Sequence, residues 1–305
     1  MSELLTLSPS PHIRSARRTS HIMLDVIIAL IPALVAACVI FGPRSLLVVS
    51  VCVAAAMLSE WAFERITRRP NTLGDLSAVV TGMLLGLSLP FNMPLWQAVI
   101  GSAVAIIIVK QLFGGIGKNF ANPAVTARIV ILVAFSNSAP QWINPVDGVA
   151  GATPREQIGA KQTVSYLQLF LGEHGGSLGE TCALALLLGG VYLVVRRVIT
   201  WHVPIAYLGS AALLSWAFGM DPLYQLLSGG LMLGAIFMAT DYSTSPCNPW
   251  GKIIFGVGCG LITMLIRAFG SYPEGVSFAI LLMNILCPYI DRWTARKPFG
   301  GAVKA

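Results

Sequence analysis

Ten apolar runs follow one another along this chain, at about 22–41, 45–64, 75–90, 94–113, 121–136, 180–197, 203–218, 223–240, 252–269 and 275–290. About 20 apolar residues in a helix cross the hydrocarbon core of a bilayer. Within that core each backbone N–H and C=O must be paired inside its own segment, which restricts such runs to helices. Several runs are shorter than a straight span requires, so some helices are expected to be short, broken or extended at their ends. Composition points the same way. Of 305 residues, 55% are hydrophobic and 11% charged, whereas soluble domains carry about a quarter charged residues. The chain reads as an all-α integral membrane protein of about ten transmembrane helices.

The formal net charge of +7 could suggest nucleic acid as a partner, but the basic residues stand in short clusters at the ends of apolar runs. That placement orients a membrane protein in the lipid bilayer and argues against a nucleic-acid surface. With the N-terminus in the cytoplasm, Arg14, Arg17, Arg18, Arg65, Arg68, Arg69, Lys110, Lys118, Arg196, Arg197, Lys252, Arg292, Arg296, Lys297 and Lys304 fall inside. Arg44, Arg155, Lys161 and Arg267 fall outside, and Arg128 lies within a span. This asymmetry predicts cytoplasmic termini in an inner-membrane, multi-pass protein. The first run has no small-residue cleavage site of the signal-peptide kind.

Short words recur in the two halves of the sequence. Gly82-Met-Leu-Leu-Gly86 returns as Gly230-Leu-Met-Leu-Gly234, Leu58-Ser-Glu-Trp-Ala-Phe63 as Leu214-Ser-Trp-Ala-Phe218, and Phe113-Gly-Gly as Phe269-Gly-Ser. Their order and near-constant offset predict two homologous units of five spans. Because five is odd, the units are inverted, an arrangement that places ligand sites near the junction of the halves. The expected organisation is a cytoplasmic segment 1–21, a first repeat 22–136, a periplasmic loop 137–179, a second repeat 180–290 and a cytoplasmic tail 291–305.

The six cysteines, Cys38, Cys52, Cys182, Cys247, Cys259 and Cys287, have no spacing for a cluster or a zinc ion, and the four histidines are scattered. No metal site is expected. Charges inside spans cost about 2.5–3.5 kcal/mol at the centre on insertion scales, so they tend to serve function. Asp25 sits early in the first span and Arg128 in the fifth, while Asp75 and Asp241 flank the paired third spans of the two repeats. Asp241 and Asp25 are candidates for an ion path, and solvation at the interface is the other reading for Asp25 and Asp75. Glu60 and Glu64, one turn apart beside Arg65, Arg68 and Arg69, read as a solvated helix end. Trp96, Trp142, Trp201 and Trp250 suit the membrane interfaces. The glycine-rich stretch from Gly114 to Ala124 runs into a helix start at Asn122-Pro123, with free amides and a positive dipole end. Lys118, Asn119, Asn122 and Arg128 could there hold an anionic or carbonyl-rich ligand such as an isoalloxazine ring; a close-packed turn is the other reading. In the outer loop, Asp147-Gly-Val-Ala-Gly-Ala-Thr153 is a turn of small residues through which a bulky group can approach the Thr153 hydroxyl; an ordinary surface turn is the other reading of the same residues.

That last segment resembles the flavinylation motif, Asp-x-x-Ser-Gly-Ala-Thr, of a family that unites the D subunit of the Rnf complex with the B subunit of the sodium-pumping quinone reductase. Ala150 stands where the motif has Ser. Phe113-Gly-Gly-Ile-Gly-Lys-Asn-Phe-Ala-Asn-Pro-Ala124 is similar to the family's Gly-Lys-Asn-x-x-Asn-Pro-Ala signature. Gly74-Asp75, Met238-Ala-Thr-Asp241 and Tyr272-Pro-Glu-Gly275 extend the likeness to residues 20–290. The resemblance implies FMN joined to Thr153 as a phosphoester by a flavin transferase, with Asp147, Gly151 and Ala152 forming the attachment motif, and a second, noncovalent flavin, riboflavin. It further implies a subunit that is not catalytic alone, in a complex coupling electron flow between ferredoxin and NAD to Na⁺ or H⁺ transport. The implied partners are other membrane subunits, a periplasmic FMN subunit, and peripheral iron–sulfur and NAD-binding subunits. A short N-terminal segment favours the Rnf-type chain over the quinone-reductase type. A secondary transporter or channel with inverted repeats is the rival from another class.

Overall fold

The computed structural model describes residues 18–135, 165–172, 174–270 and 275–295. Among the described residues every regular element is helical. The first half runs as α1 (Thr19–Phe41), α2 (Arg44–Thr67), α3 (Ser77–Ser88), α4 (Leu95–Ala103) and α5 (Pro123–Ala134). The wider π-helical turns of Val104–Gln111 continue α4 without a break. A short α6 (Tyr166–Leu171) precedes the second half, which comprises α7 (Ala183–Val195), α8 (His202–Ala217), α9 (Pro222–Leu227), α10 (Leu231–Leu233), α11 (Pro249–Phe269) and α12 (Val276–Thr294). π-Helical turns at Gly234–Met238 prolong α10. Helical segments thus stand at all ten predicted runs, and the chain is an all-helical membrane protein.

By length and composition alone, α1, α2, α11 and α12 can each cross a bilayer, while α3, α4 with its extension, α5 and α7 are shorter apolar helices. Many apolar side chains point outwards, among them Val39, Trp216 and Phe269, each more than 70% exposed. In water such a surface would be a liability, whereas lipid tails or partner helices cover it in a membrane.

Two central elements are buried on nearly every face: α3 and the stretch from Leu231 to Ala239. Helix α2 packs on α3 and α4, as α8 packs on α9 and α11, and the halves meet where α1 packs on α7 and α5 on α12. Small residues permit these approaches. A Cβ on Gly82 would lie 2.6 Å from the Val53 Cα, and one on Gly86 2.9 Å from the Val49 Cα. In the second half, Gly256 and Gly260 bring α11 against the α8 backbone at Val203 and Tyr207. Close backbone approach of this kind drives helix association in lipid, where apolar burial gives no net force between helices.

The eighth run is not one helix. Helix α9 stops at Leu227, and the chain turns through Ser228, Gly229 and Gly230 before α10 begins. Gly229 has φ +67°, a conformation that side-chain-bearing residues rarely adopt. The break therefore belongs to the Ser-Gly-Gly sequence itself, and it leaves helix termini inside the protein.

Candidate functional site

A cleft of about 760 Å³, including its mouth, lies where the two halves meet. Met23 and Val26 of α1, Val80 and Leu84 of α3, Leu193 of α7 and Phe237 form its apolar walls. Its polar groups come from Ser77, Lys110, Asn119, Asn122, Thr240, Asp241 and Ser243. An apolar slot with a few convergent polar groups is the usual form of a cofactor site.

Local sequence explains several of the polar positions. Asn122 is the N-cap of α5: its Oδ1 accepts from the N–H groups of Ala124 (3.0 Å) and Val125 (3.3 Å), and Pro123 occupies the first helical position. Its Nδ2 donates to the Met238 carbonyl at 3.1 Å, tying the α5 start to the second half. Asn119 lies in the loop before this cap, and its Oδ1 is shielded from solvent with no hydrogen-bond partner. Two Asp-x-Ser turns, one from each half, converge here. Asp75 Oδ1 accepts from the Ser77 N–H (2.8 Å) and hydroxyl, and Asp241 accepts from the Ser243 N–H (3.1 Å) and hydroxyl (2.9 and 3.0 Å). Burial pushes the Asp241 carboxyl above its ordinary range, opposed by its bonds to Ser243 and Thr244. The Tyr242 hydroxyl is pushed up to about 12 by burial and by the charges of Asp241 and Asp75.

Of the residues singled out from sequence, Asn119, Asn122 and Asp241 share this cleft. Lys118 does not line it; its side chain lies along Gly114 at the loop surface. Arg128 is nearly two helical turns beyond Asn122 and donates to Glu180 at 2.5 Å. Asp25 is a neighbour of the cleft, not a wall: it accepts from the Tyr192 hydroxyl (3.0 Å) and the Arg196 guanidinium (3.3 Å). Thr153, Asp147, Gly151 and Ala152 lie outside the described residues. The reading of Glu60 and Glu64 as a solvated helix end is corrected by the structure, since they are 0% and 4% exposed. Glu60 pairs with Lys110 at 2.6 Å, a partner fifty residues away that local spacing could not reveal.

A second buried ion pair sits at the break of the eighth run. A Cβ on Gly230 would fall 2.3 Å from Glu180 Oε1, so the carboxylate that receives Arg128 lies against the start of α10. Arg267 Nη1 donates to the Gln225 carbonyl (2.6 Å) and its Nη2 to the Ser228 carbonyl (3.0 Å), at the end of α9. Each half-helix terminus thus meets a charge opposite to its dipole. Glu180 was missed in the sequence because nothing near it marks a pairing with α5. Among the described residues no group of histidine, cysteine, aspartate and glutamate side chains could hold a metal ion.

Comparison with known proteins agrees with the motif content. Residues 6–300 match the NQR2, RnfD, RnfE family. The chain is 47% identical to the D subunit of the Na(+)-translocating ferredoxin:NAD(+) oxidoreductase complex of Acetobacterium woodii, over 98% of this chain and 97% of that one. It is 39% identical to the D subunit of the proton-translocating ferredoxin:NAD(+) oxidoreductase complex of Clostridium ljungdahlii, covering 97% and 96%, respectively. It is 37% identical to the D subunit of the ion-translocating oxidoreductase complex of Alcanivorax borkumensis, covering 97% of each. With likeness running from end to end, and with its Asn-Pro helix start and Asp-x-Ser turns meeting at one cleft, this chain belongs to the NQR2, RnfD, RnfE family.

Proposed function

We propose that this chain is the D subunit of an Rnf-type, ion-translocating ferredoxin:NAD oxidoreductase complex, and that it carries electrons on two flavins. One is FMN, esterified to Thr153 in the loop between the fifth and sixth runs, on the periplasmic side of the inner membrane. The other is riboflavin, held in the cleft between the two inverted halves. Flavins supply one-electron chemistry when bound, while the protein positions and tunes them. The complex couples this electron flow to Na⁺ or H⁺ movement. Its other membrane subunits, periplasmic FMN subunit, iron–sulfur and NAD-binding subunits are the partners, and a flavin transferase matures Thr153.

The observation that carries the cleft assignment is the orphaned Asn119 Oδ1. A buried acceptor without a donor costs about 1–3 kcal/mol, and the imide N–H of an isoalloxazine ring is a donor that would satisfy it. The apolar walls offered by Val80, Leu84 and Phe237 suit the faces of such a ring. The cleft fits a flavin without phosphate. Lys110, the cation on its wall, is already committed to Glu60, and the Asp241 carboxyl disfavours an added anion.

Two measurements on the purified complex test this. A denaturing gel under ultraviolet light should show a fluorescent band for this chain, lost in Thr153→Ala; a dark wild-type band, or a fluorescent variant, would remove the attachment site. Acid extraction should release riboflavin from the native complex in about equal amount to the chain. Asn119→Leu should lower that yield without dimming the gel band, and an unchanged yield would vacate the cleft. A transporter of the rival class would give no flavin in either measurement.

A further inference from the structure

Lys110 and Glu60 are 2% and 0% exposed at their side chains. Burying two charges costs several kcal/mol each before their attraction returns any of it, so such a pair is weak evidence of a purely stabilising role. Its connections point elsewhere. We propose that Glu64, Thr72, Glu60 and Lys110 form a proton path from an open, arginine-rich cleft at the end of α2 to the wall of the flavin cleft. This deepens the reading of that cleft given above and rests on it for what the proton serves.

The path is continuous. Lys110 Nζ stands on the flavin-cleft wall and donates to Glu60 Oε1 and to Ser77 Oγ, both at 2.6 Å. Glu60 Oε1 also accepts from Gln111 Nε2 at 2.8 Å and lies 3.0 Å from the Thr72 hydroxyl. The same hydroxyl contacts Glu64 Oε1. Glu64 in turn lines the open cleft, of about 880 Å³, together with Arg65, Arg68 and Asn71, and Thr72 itself is exposed. The π-helical turns at Val104–Gln111 present both Lys110 and Gln111 to the interior.

Thr72 Oγ lies within bonding distance of Glu60 Oε1 and of Glu64 Oε1, so a single hydroxyl links the two carboxyl groups. The path requires that one of the two carry the proton that Thr72 relays. Glu60 Oε2, buried and without a partner, offers the place where a proton can rest.

Transfer then needs only a proton donor in the open cleft and a basic acceptor in the flavin cleft. A proton taken up by Glu64 passes to Thr72 Oγ as the Thr72 hydroxyl hydrogen passes to Glu60 Oε1. Lys110 Nζ gives one N–H proton to a basic acceptor atom, of water or ligand, in the cleft, and Glu60 then returns a proton to the Lys110 amine. Every step breaks one O–H or N–H bond and forms another, and the net result is one H⁺ moved from the open cleft to the flavin cleft. Gln111 is a positioning residue, holding Glu60 Oε1 in line; Arg69 anchors it through the Gln111 carbonyl (2.9 Å). A metal cation would meet the Lys110 ammonium head-on, whereas a proton is relayed through it. The charged groups facing the path are Arg65, Arg68 and Arg69 at the end of α2, Asp75 before α3, and Asp241 and Tyr242 across the cleft.

The test uses the whole complex, with Glu60→Gln, Glu60→Asp and the milder, surface-placed Thr72→Val. Released flavin is quantified first, and proton uptake on single-turnover reduction is then followed with an indicator dye in weak buffer. We expect Glu60→Gln and Thr72→Val to keep their flavin and slow uptake at least about tenfold, with partial recovery in Glu60→Asp. Wild-type uptake in a flavin-replete Thr72→Val complex would overturn the path. A second readout is independent of the flavin: infrared spectra of the wild type should contain a buried protonated-carboxyl band that shifts in D₂O and vanishes in the Glu60→Gln/Glu64→Gln double variant. If the complex releases no riboflavin but shows this band, the cleft reading fails and the path stands. Absence of the band from the wild type defeats the path whatever the cleft holds.

Discussion

Replacing Arg128 with methionine should destabilise the protein far more than replacing Arg128 and Glu180 together. The two side chains are 8% and 3% exposed and meet at 2.5 Å. Arg128→Met would strand the Glu180 carboxylate against the Gly230 end of α10. Breaking a buried pair from one side costs about 3–5 kcal/mol, while exchanging both partners for apolar residues of similar volume is often neutral. At roughly 2–4 °C per kcal/mol for chains of this order of size, the single variant should melt about 6–20 °C below wild type. Arg128→Met/Glu180→Met should lie within a few degrees of wild type. The assay is thermal unfolding of detergent-solubilised protein followed by intrinsic tryptophan fluorescence, arranged as a double-mutant cycle so that other contacts of either residue cancel. The reasoning is refuted if Arg128→Met melts within about 2 °C of wild type, or if the double variant is as unstable as the single one.

Further outcomes follow from other contacts. Gly82→Val would push a side chain into the Val53 backbone, where a Cβ alone comes within 2.6 Å. We expect overpacking costs of about 1–3 kcal/mol, read as a lower melting temperature, with Gly74→Val, where nothing lies within 4 Å, as the neutral control. Asn122→Ala removes the α5 cap, costing about 1 kcal/mol, and also the tie to Met238; riboflavin yield should fall along with stability. Burial pushes the His174 imidazole below its ordinary value, partly offset by its contact with Gly175 and the charge of Glu180. Because the folded state disfavours the charged form, the stabilisation held at neutral pH should be lost as pH drops below about 6.5. Proteolysis of the 174–181 segment should therefore accelerate as pH falls below about 6.5, and His174→Gln should flatten that dependence.

The ten apolar runs and their approximate edges were legible because a bilayer imposes one rule on each segment separately: apolar side chains outside, backbone paired within. Asn122-Pro123 announced a helix start by local chemistry, as did the glycines of the 114–117 loop. Glu60 shows where local reading stops. Beside three arginines at the end of a helix it has the sequence of a solvated turn, yet the α4 extension brings Lys110 and Gln111 over it. The split of the eighth run lay latent in Ser228-Gly229-Gly230, although hydropathy averaged over the run conceals it.

What this sequence determined by itself was its class, its helices and its family words, since these rest on contacts within a few residues or with the surrounding lipid. What only the tertiary structure decided was which charges meet: Lys110 with Glu60, Arg128 with Glu180, Arg267 with the α9 carbonyls, and Asn119 with no partner at all for its Oδ1. The reason is the range of the forces involved. Burial of a charge is tolerable only with a partner supplied from another helix, and the spacing along one helix carries no record of the side chain that a second one presents to it.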